Sequence, residues 1–197
     1  MSDGTGTTPD TGSDDGRSDP LTPPHRLVRG TVAIDDLDAF LARLDEIDTE
    51  TGAVVQAFDA DLVVSDAHLR AAVRLAARAI ARGEAVARDP GVEVMLYAAG
   101  RRQIDRALAL GVSEGEQRAV VLVADFGGVD GADRPAADLD AAERAVERLT
   151  GSTAVTDEFD RERVTEFYGV SDRELAATAG DLADVVRERV ALLDVEK

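Results

Sequence analysis

Four arginines recur at every fourth position of the sequence: Arg70, Arg74, Arg78 and Arg82. Residues four apart lie on one face of an α-helix, so these side chains are expected to form a single ridge. The planar guanidinium group matches the oxygens of a phosphate with two parallel hydrogen bonds. The spacing therefore indicates a surface that binds anions, and phosphates in particular.

The ridge belongs to a basic part of a strongly acidic chain. The 197 residues include 40 aspartates and glutamates but only 22 lysines and arginines, which gives a formal charge of -18. Between Ala67 and Ser113, hereafter the basic window, eight arginines face four acidic residues, so the window carries +4 and the remainder -22. A local excess of positive charge of this kind is typical of surfaces that contact nucleic acid. The alternative is that the arginines pair internally with the surplus carboxylates.

Further polar residues stand near the predicted starts of two helices. His68 lies in the first turn of the ridge helix, and Arg101 to Gln103 begin a second helix. Each helix is expected to follow a strand; if those strands run parallel, both helix N-termini open at one sheet edge and favour anions there. A buried histidine is the alternative for His68. The expected anion-binding residues are His68, Arg70, Arg74, Arg78, Arg101, Arg102 and Gln103.

The sequence shows no residue set suited to catalysis. It contains no cysteine, which excludes disulfides, cysteine-based zinc sites and thiol nucleophiles. The segment 111–115 spells G-x-S-x-G, but it follows a predicted helix instead of a strand, and both histidines, His25 and His68, precede Ser113. Asp125-Phe126-Gly127 spells the kinase DFG triplet, yet no lysine precedes it. We predict a protein that is not an enzyme and needs no metal and no cofactor.

The hydrophobic pattern predicts strands that alternate with helices. The predicted strands are 27–34, 53–58, 62–64, 92–99 and 119–124. The predicted helices begin after Asp36, after Ser65 as N-cap, after Gly100, and at about 139, 161 and 171, with a break of the last one at Gly180. This interleaving predicts an α/β or α+β fold, in which one mixed β-sheet is flanked by helices in a single layered domain.

The first 24 residues differ in composition from the rest. They consist of Gly, Ser, Thr, Pro and Asp except at Met1, Arg17 and Leu21, so they offer little to bury. We predict a disordered acidic tail over 1–24 and one domain over 25–197. No run of about 18 apolar residues and no signal peptide is found, so we expect a cytoplasmic protein without membrane contact. The acidity indicates a salt-rich cytoplasm.

Three blocks of the sequence carry a resemblance to a known family. They are Gln56–Ala60, Ser65–Leu69 with Ala72 and Ala76, and Glu93–Ile104 with Ala107 and Leu108; Glu188–Leu193 is similar too. These blocks resemble the accessory subunit of the KEOPS complex, the family whose animal member is TPRKB. The resemblance runs from about Leu27 to Glu196 and leaves out the tail.

The resemblance implies a non-catalytic subunit of the machinery that installs threonylcarbamoyladenosine on tRNA. Such subunits bind the small atypical kinase/ATPase of the complex, and archaeal members bind tRNA through its single-stranded 3′ CCA end. The residues expected to bind an anion would then be RNA-binding, because single-stranded ends are held by backbone contacts and by stacking on aromatic or arginine planes. The acidity suits a haloarchaeal member. The alternative is a purely regulatory subunit that binds the kinase without touching RNA.

Overall fold

One antiparallel sheet organises the part of the chain that the computed structural model describes, residues 22–151 and 158–194. Its strands are β1 (His25–Ile34), β2 (Val54–Asp59) and β3 (Gly115–Ala124). The strand order is β1-β3-β2, so β3 pairs antiparallel with both neighbours. The helices are α1 (Leu37–Thr51), α2 (Asp66–Ala81), α3 (Pro90–Ala98), α4 (Ile104–Ala107), α5 (Leu139–Leu149), α6 (Arg161–Tyr168), α7 (Asp172–Ala177) and α8 (Leu182–Leu193). Two 3-10 turns span Ala60–Leu62 and Leu108–Leu110.

The central strand β3 is covered on both faces. Successive side chains of a strand point to opposite sides, and all six residues from Ala119 to Ala124 are buried. Val120 and Leu122 belong to the core shared with α2, α3, α6 and α8. Val121 and Val123 belong to a second core shared with α1 and α5. The domain therefore has three layers, with helices on each side of the sheet.

Side-chain caps explain where several helices begin. The hydroxyl of Ser65 accepts a hydrogen bond from the backbone N–H of His68 at 3.2 Å, as the sequence predicted for the start of α2. Asp36 caps α1 in the same way, with an Ala39 N–H to carboxylate distance of 3.0 Å. α3 starts behind Asp89, which accepts from the N–H of Val92 at 2.9 Å. Each cap satisfies a donor that the first helical turn leaves unpaired.

The layered single domain is confirmed in its α+β form, with three corrections. The segment 92–99, predicted as a strand, lies in α3; eight of that helix's nine residues are buried, so no polar face revealed its helical period. The segment 62–64 is not a strand either. Within the described residues the sheet is antiparallel and not mixed, because the strand expected to run parallel is absent. The other predicted strands, and the break near Gly180 between α7 and α8, are confirmed.

The predicted tail lies mostly outside the described residues. Its last two residues contact the domain: Pro23 is buried, and the carbonyl of Pro24 accepts a hydrogen bond from the N–H of Asp125 at 2.8 Å. The domain therefore includes residues that the composition assigned to the tail. Across the described ranges, no helix combines the length and the apolar character needed to cross a membrane.

Replacing Leu122 by alanine should lower the free energy of unfolding by about 2–5 kcal/mol, because the side chain is fully buried at the centre of the sheet. The control is Leu41→Ala on α1, where the side chain is 39% exposed and the expected loss is under about 1 kcal/mol. Denaturant unfolding in molar KCl measures both. Equal losses would contradict a core built around β3.

Candidate functional site

The basic window is organised by two neighbouring helices, α2 and α3. Nε2 of His68, in the first turn of α2, lies 2.8 Å from the carbonyl oxygen of Ala98 at the end of α3. The start of α2 and the end of α3 therefore meet, and the segment 101–103 follows directly. His68 and the segment 101–103 come close because α2 and α3 pack antiparallel, and not because two helix N-termini open at one sheet edge.

His68 is fully buried, so the prediction that it contacts an anion at the surface is wrong. Its Nε2–H donates to the carbonyl of Ala98, and the hydroxyl of Tyr168 donates to the same carbonyl at 3.0 Å. Within the described ranges, its Nδ1 has no hydrogen-bond partner. Burial lowers the pKa of His68 to about 4 and raises the pKa of Tyr168, so both side chains are neutral near pH 7. The histidine joins α2, α3 and α6 inside the core.

Arg101 and Arg102 are half-buried and close the ends of two helices. Arg101 donates to the carbonyl of Phe167 near the end of α6, and its guanidinium lies over the Phe167 ring at 5.0 Å. Arg102 donates to the carbonyl of Leu193 at the end of α8, at 2.9 Å. Cations are favourable at helix C-termini, where carbonyls lack partners. In this structure both guanidinium groups therefore stabilise the fold.

The arginine ridge forms on α2 as predicted, but its members differ in what they contact. Arg78 lies 3.6 Å from the carboxylate of Asp194, and Arg74 also interacts within the protein. Arg70 and Arg82, at the two ends of the ridge, are exposed and have no polar side-chain partner in the described part of the chain. The two arginines in the middle of the ridge therefore make contacts within the protein, whereas those at its ends are accessible to other molecules.

The remaining polar residues beyond α3 face solvent. Gln103 is exposed, and its side chain does not cap α4. Arg106 on α4 is exposed as well and makes no side-chain contact to a polar group of the described residues. We group Gln103 and Arg106 with Arg70, the exposed arginine near the start of α2, and call the three residues the α4-end surface.

Tyr97, the aromatic residue within the basic window, is buried and is not placed to stack on a base. Its hydroxyl donates to the carboxylate of Asp194 at 3.3 Å, the same carboxylate that faces Arg78. Asp194, Phe167 and Tyr168 were not predicted as partners, because they lie 66 to 97 residues from the groups that they contact here. The family-like block Glu188–Leu193 was the one signal that pointed toward this end of α8.

A buried carboxylate holds the loop between α2 and α3. Glu93 is 2% exposed, and its Oε2 accepts hydrogen bonds from the backbone N–H groups of Val86 at 3.0 Å and Ala87 at 2.8 Å. These two bonds satisfy the buried charge and fix the loop 82–89. The sequence did not reveal this role because Glu93 fell in a segment that resembled a strand.

The titration of His68 gives a testable pH dependence. Its pKa is 6.5 in the unfolded chain and about 4 in the fold, so the unfolded state binds the extra proton between these values. Stability should therefore fall as the pH drops from 6.5 to 4, by up to about 3 kcal/mol from this residue. Unfolding of wild type and His68→Gln across that range in molar KCl measures the difference, and identical slopes would contradict the buried neutral histidine.

Among curated proteins, none matches the chain. The family model described as "Kinase binding protein CGI-121" matches residues 38–194, which include β2, β3, all of α2 to α8 and the whole basic window. This match spans well over half of the chain and agrees with the family that the sequence blocks indicated. The chain belongs to the CGI-121 family of kinase binding proteins.

Proposed function

We propose that this protein is a non-catalytic subunit of the KEOPS complex in the cytoplasm, which binds the small kinase/ATPase subunit and recruits tRNA through its 3′ CCA end. The observation that carries the kinase part is the family match over residues 38–194. The RNA part rests on the resemblance and on the charge of the basic window, which is positive in a chain of net charge -18.

The surroundings of the two histidines support a role without catalysis. His68 is enclosed and neutral, and its Nε2 is bonded to Ala98. Nδ1 of His25 lies 2.9 Å from the carbonyl oxygen of Pro23. Neither imidazole is placed as a general base beside Ser113, the serine of the G-x-S-x-G segment. In the described residues, no three histidine, aspartate or glutamate side chains group into a metal site.

The RNA contact is proposed on the α4-end surface, with Arg70 and Arg106 as charged contacts and Gln103 between them in sequence. Arg74 lies one helical turn after Arg70 on α2, whereas Arg78, Arg101 and Arg102 contact the ends of α6 and α8. Each phosphate that a protein neutralises on a single strand releases counterions. The logarithm of the binding constant therefore falls with the logarithm of the salt concentration, with a slope of about -0.7 per phosphate. A protein in a salt-rich cytoplasm therefore gains more from a few bidentate or stacking arginines than from many charge contacts.

Arg70→Ala and Arg106→Ala should each weaken tRNA binding by about 1–3 kcal/mol, the value of one charge-assisted hydrogen bond or one stacked base. Neither side chain has a polar partner among residues 22–151 and 158–194, so folding should not change. The control is Arg144→Ala on α5, which is exposed on the other side of the sheet. The measurement is a binding titration of intact tRNA, and of tRNA without its CCA, across a KCl series.

Two outcomes of this titration would contradict the RNA part of the proposal. One is that removal of CCA costs no affinity. The other is that Arg144→Ala weakens binding as much as Arg70→Ala does, since then no localised surface exists. Either result, with kinase binding retained, would favour a regulatory subunit that acts on the kinase alone.

A further inference from the structure

The loop 82–89 between α2 and α3 presents an apolar side chain flanked by two arginines. Val86, near the middle of this loop, is 48% exposed. Arg82 and Arg88 stand on either side of it in sequence; both are exposed, and neither has a polar side-chain partner in the ranges described. An exposed apolar centre with a charged rim is the composition of a protein-protein contact.

The loop is held in one conformation before any partner arrives. On the α2 side, the N–H groups of Gly83 and Glu84 bond to the carbonyls of Ile80 and Ala79, both at 2.9 Å. Gly83 has a φ of 68°, the left-handed conformation that glycine adopts readily. In the middle, the buried Glu93 carboxylate accepts from Val86 and Ala87. A fixed loop loses little conformational entropy on binding, which favours affinity.

The end of α8 lies beside this loop. Val86 and Leu193 line the same small cavity together with Arg102, so the loop and the last turn of α8 are neighbours. Leu192, the preceding residue of α8, is 46% exposed. We name Arg82, Val86, Arg88 and Leu192 the docking patch. Along α2, Arg82 is about 18 Å from Arg70, at a rise of about 1.5 Å per residue, so these two arginines stand at opposite ends of the ridge.

We propose that the docking patch is the surface that binds the kinase partner, and that the partner offers an apolar side chain surrounded by carboxylates. This inference rests on the proposed kinase-binding function. Exposed valine and leucine side chains gain nothing from a phosphate backbone, which favours protein over RNA at this patch. The charges of the chain outside the basic window sum to -22, so an acidic partner is repelled by the rest of the protein and attracted here.

The test is a titration of the purified KEOPS kinase subunit of the same genome against wild type and variants in molar KCl. Val86→Glu keeps the backbone N–H that Glu93 binds and places a like charge opposite the partner's carboxylates. We expect it to raise the Kd at least about tenfold, the effect of losing one central contact. Leu41→Glu is the matched control, because Leu41 is 39% exposed on α1 across the sheet. It should change the Kd by less than about twofold.

A second pair of variants tests the role of charge. Arg88→Glu reverses the charge of an exposed arginine inside the patch, and Arg144→Glu does the same outside it. Arg88→Glu should weaken kinase binding several-fold more than Arg144→Glu does. Leu108→Glu tests the exposed apolar pair Ile104 and Leu108 near α4, and it should leave the Kd unchanged. Melting temperatures of all variants show whether each one is folded.

The outcomes separate the docking patch from the function on which it rests. If the wild-type chain does not bind the kinase, the proposed function is wrong, and so is the role proposed for the patch. If the wild type binds and Val86→Glu binds equally well, the patch is wrong while kinase binding stands. The patch is also wrong if Leu108→Glu weakens binding instead, or if Val86→Glu loses tRNA and keeps the kinase.

Discussion

Burial of the central strand β3 on both faces is the constraint on which the rest of the structure depends. Its side chains alternate between two cores, so each core needs its own layer of helices. α1 and α5 supply one layer, whereas α2, α3, α6 and α8 supply the other. In the second layer, the segment that follows α3 contacts the C-terminal ends of α6 and α8 through Arg101 and Arg102.

The arginines of the window serve two purposes as a result. Those near the helix ends, Arg101 and Arg102, donate to carbonyls that would otherwise lack partners, and Arg78 faces Asp194. Those at the ends of the ridge, Arg70 and Arg82, extend into solvent. The two exposed ends of the ridge belong to the two surfaces proposed above, Arg70 to the one for tRNA and Arg82 to the one for the kinase.

Local sequence signals predicted the helices that begin with a clear N-cap and the strands with a clear apolar pattern. Ser65 marked the start of α2, and the four-residue arginine spacing placed the ridge correctly on that helix. α3 was mistaken for a strand because burial nearly all round removed its helical period, although Asp89 followed by Pro90 is the pattern of a helix start. Two features depend on contacts between distant parts of the chain. Tyr168 packs over the buried His68, and Arg101 donates a hydrogen bond to the carbonyl of Phe167. Such contacts leave no trace in local sequence.

We propose above all that one domain holds a kinase and a tRNA at the same time, on two different surfaces. The most direct measurement is a titration of tRNA into the chain alone and into the chain saturated with the kinase subunit. We expect a ternary complex in which the tRNA affinity is at least as high as that of the chain alone. Displacement of the tRNA as the kinase concentration rises would show that the two ligands share one surface, and would contradict two separate contacts.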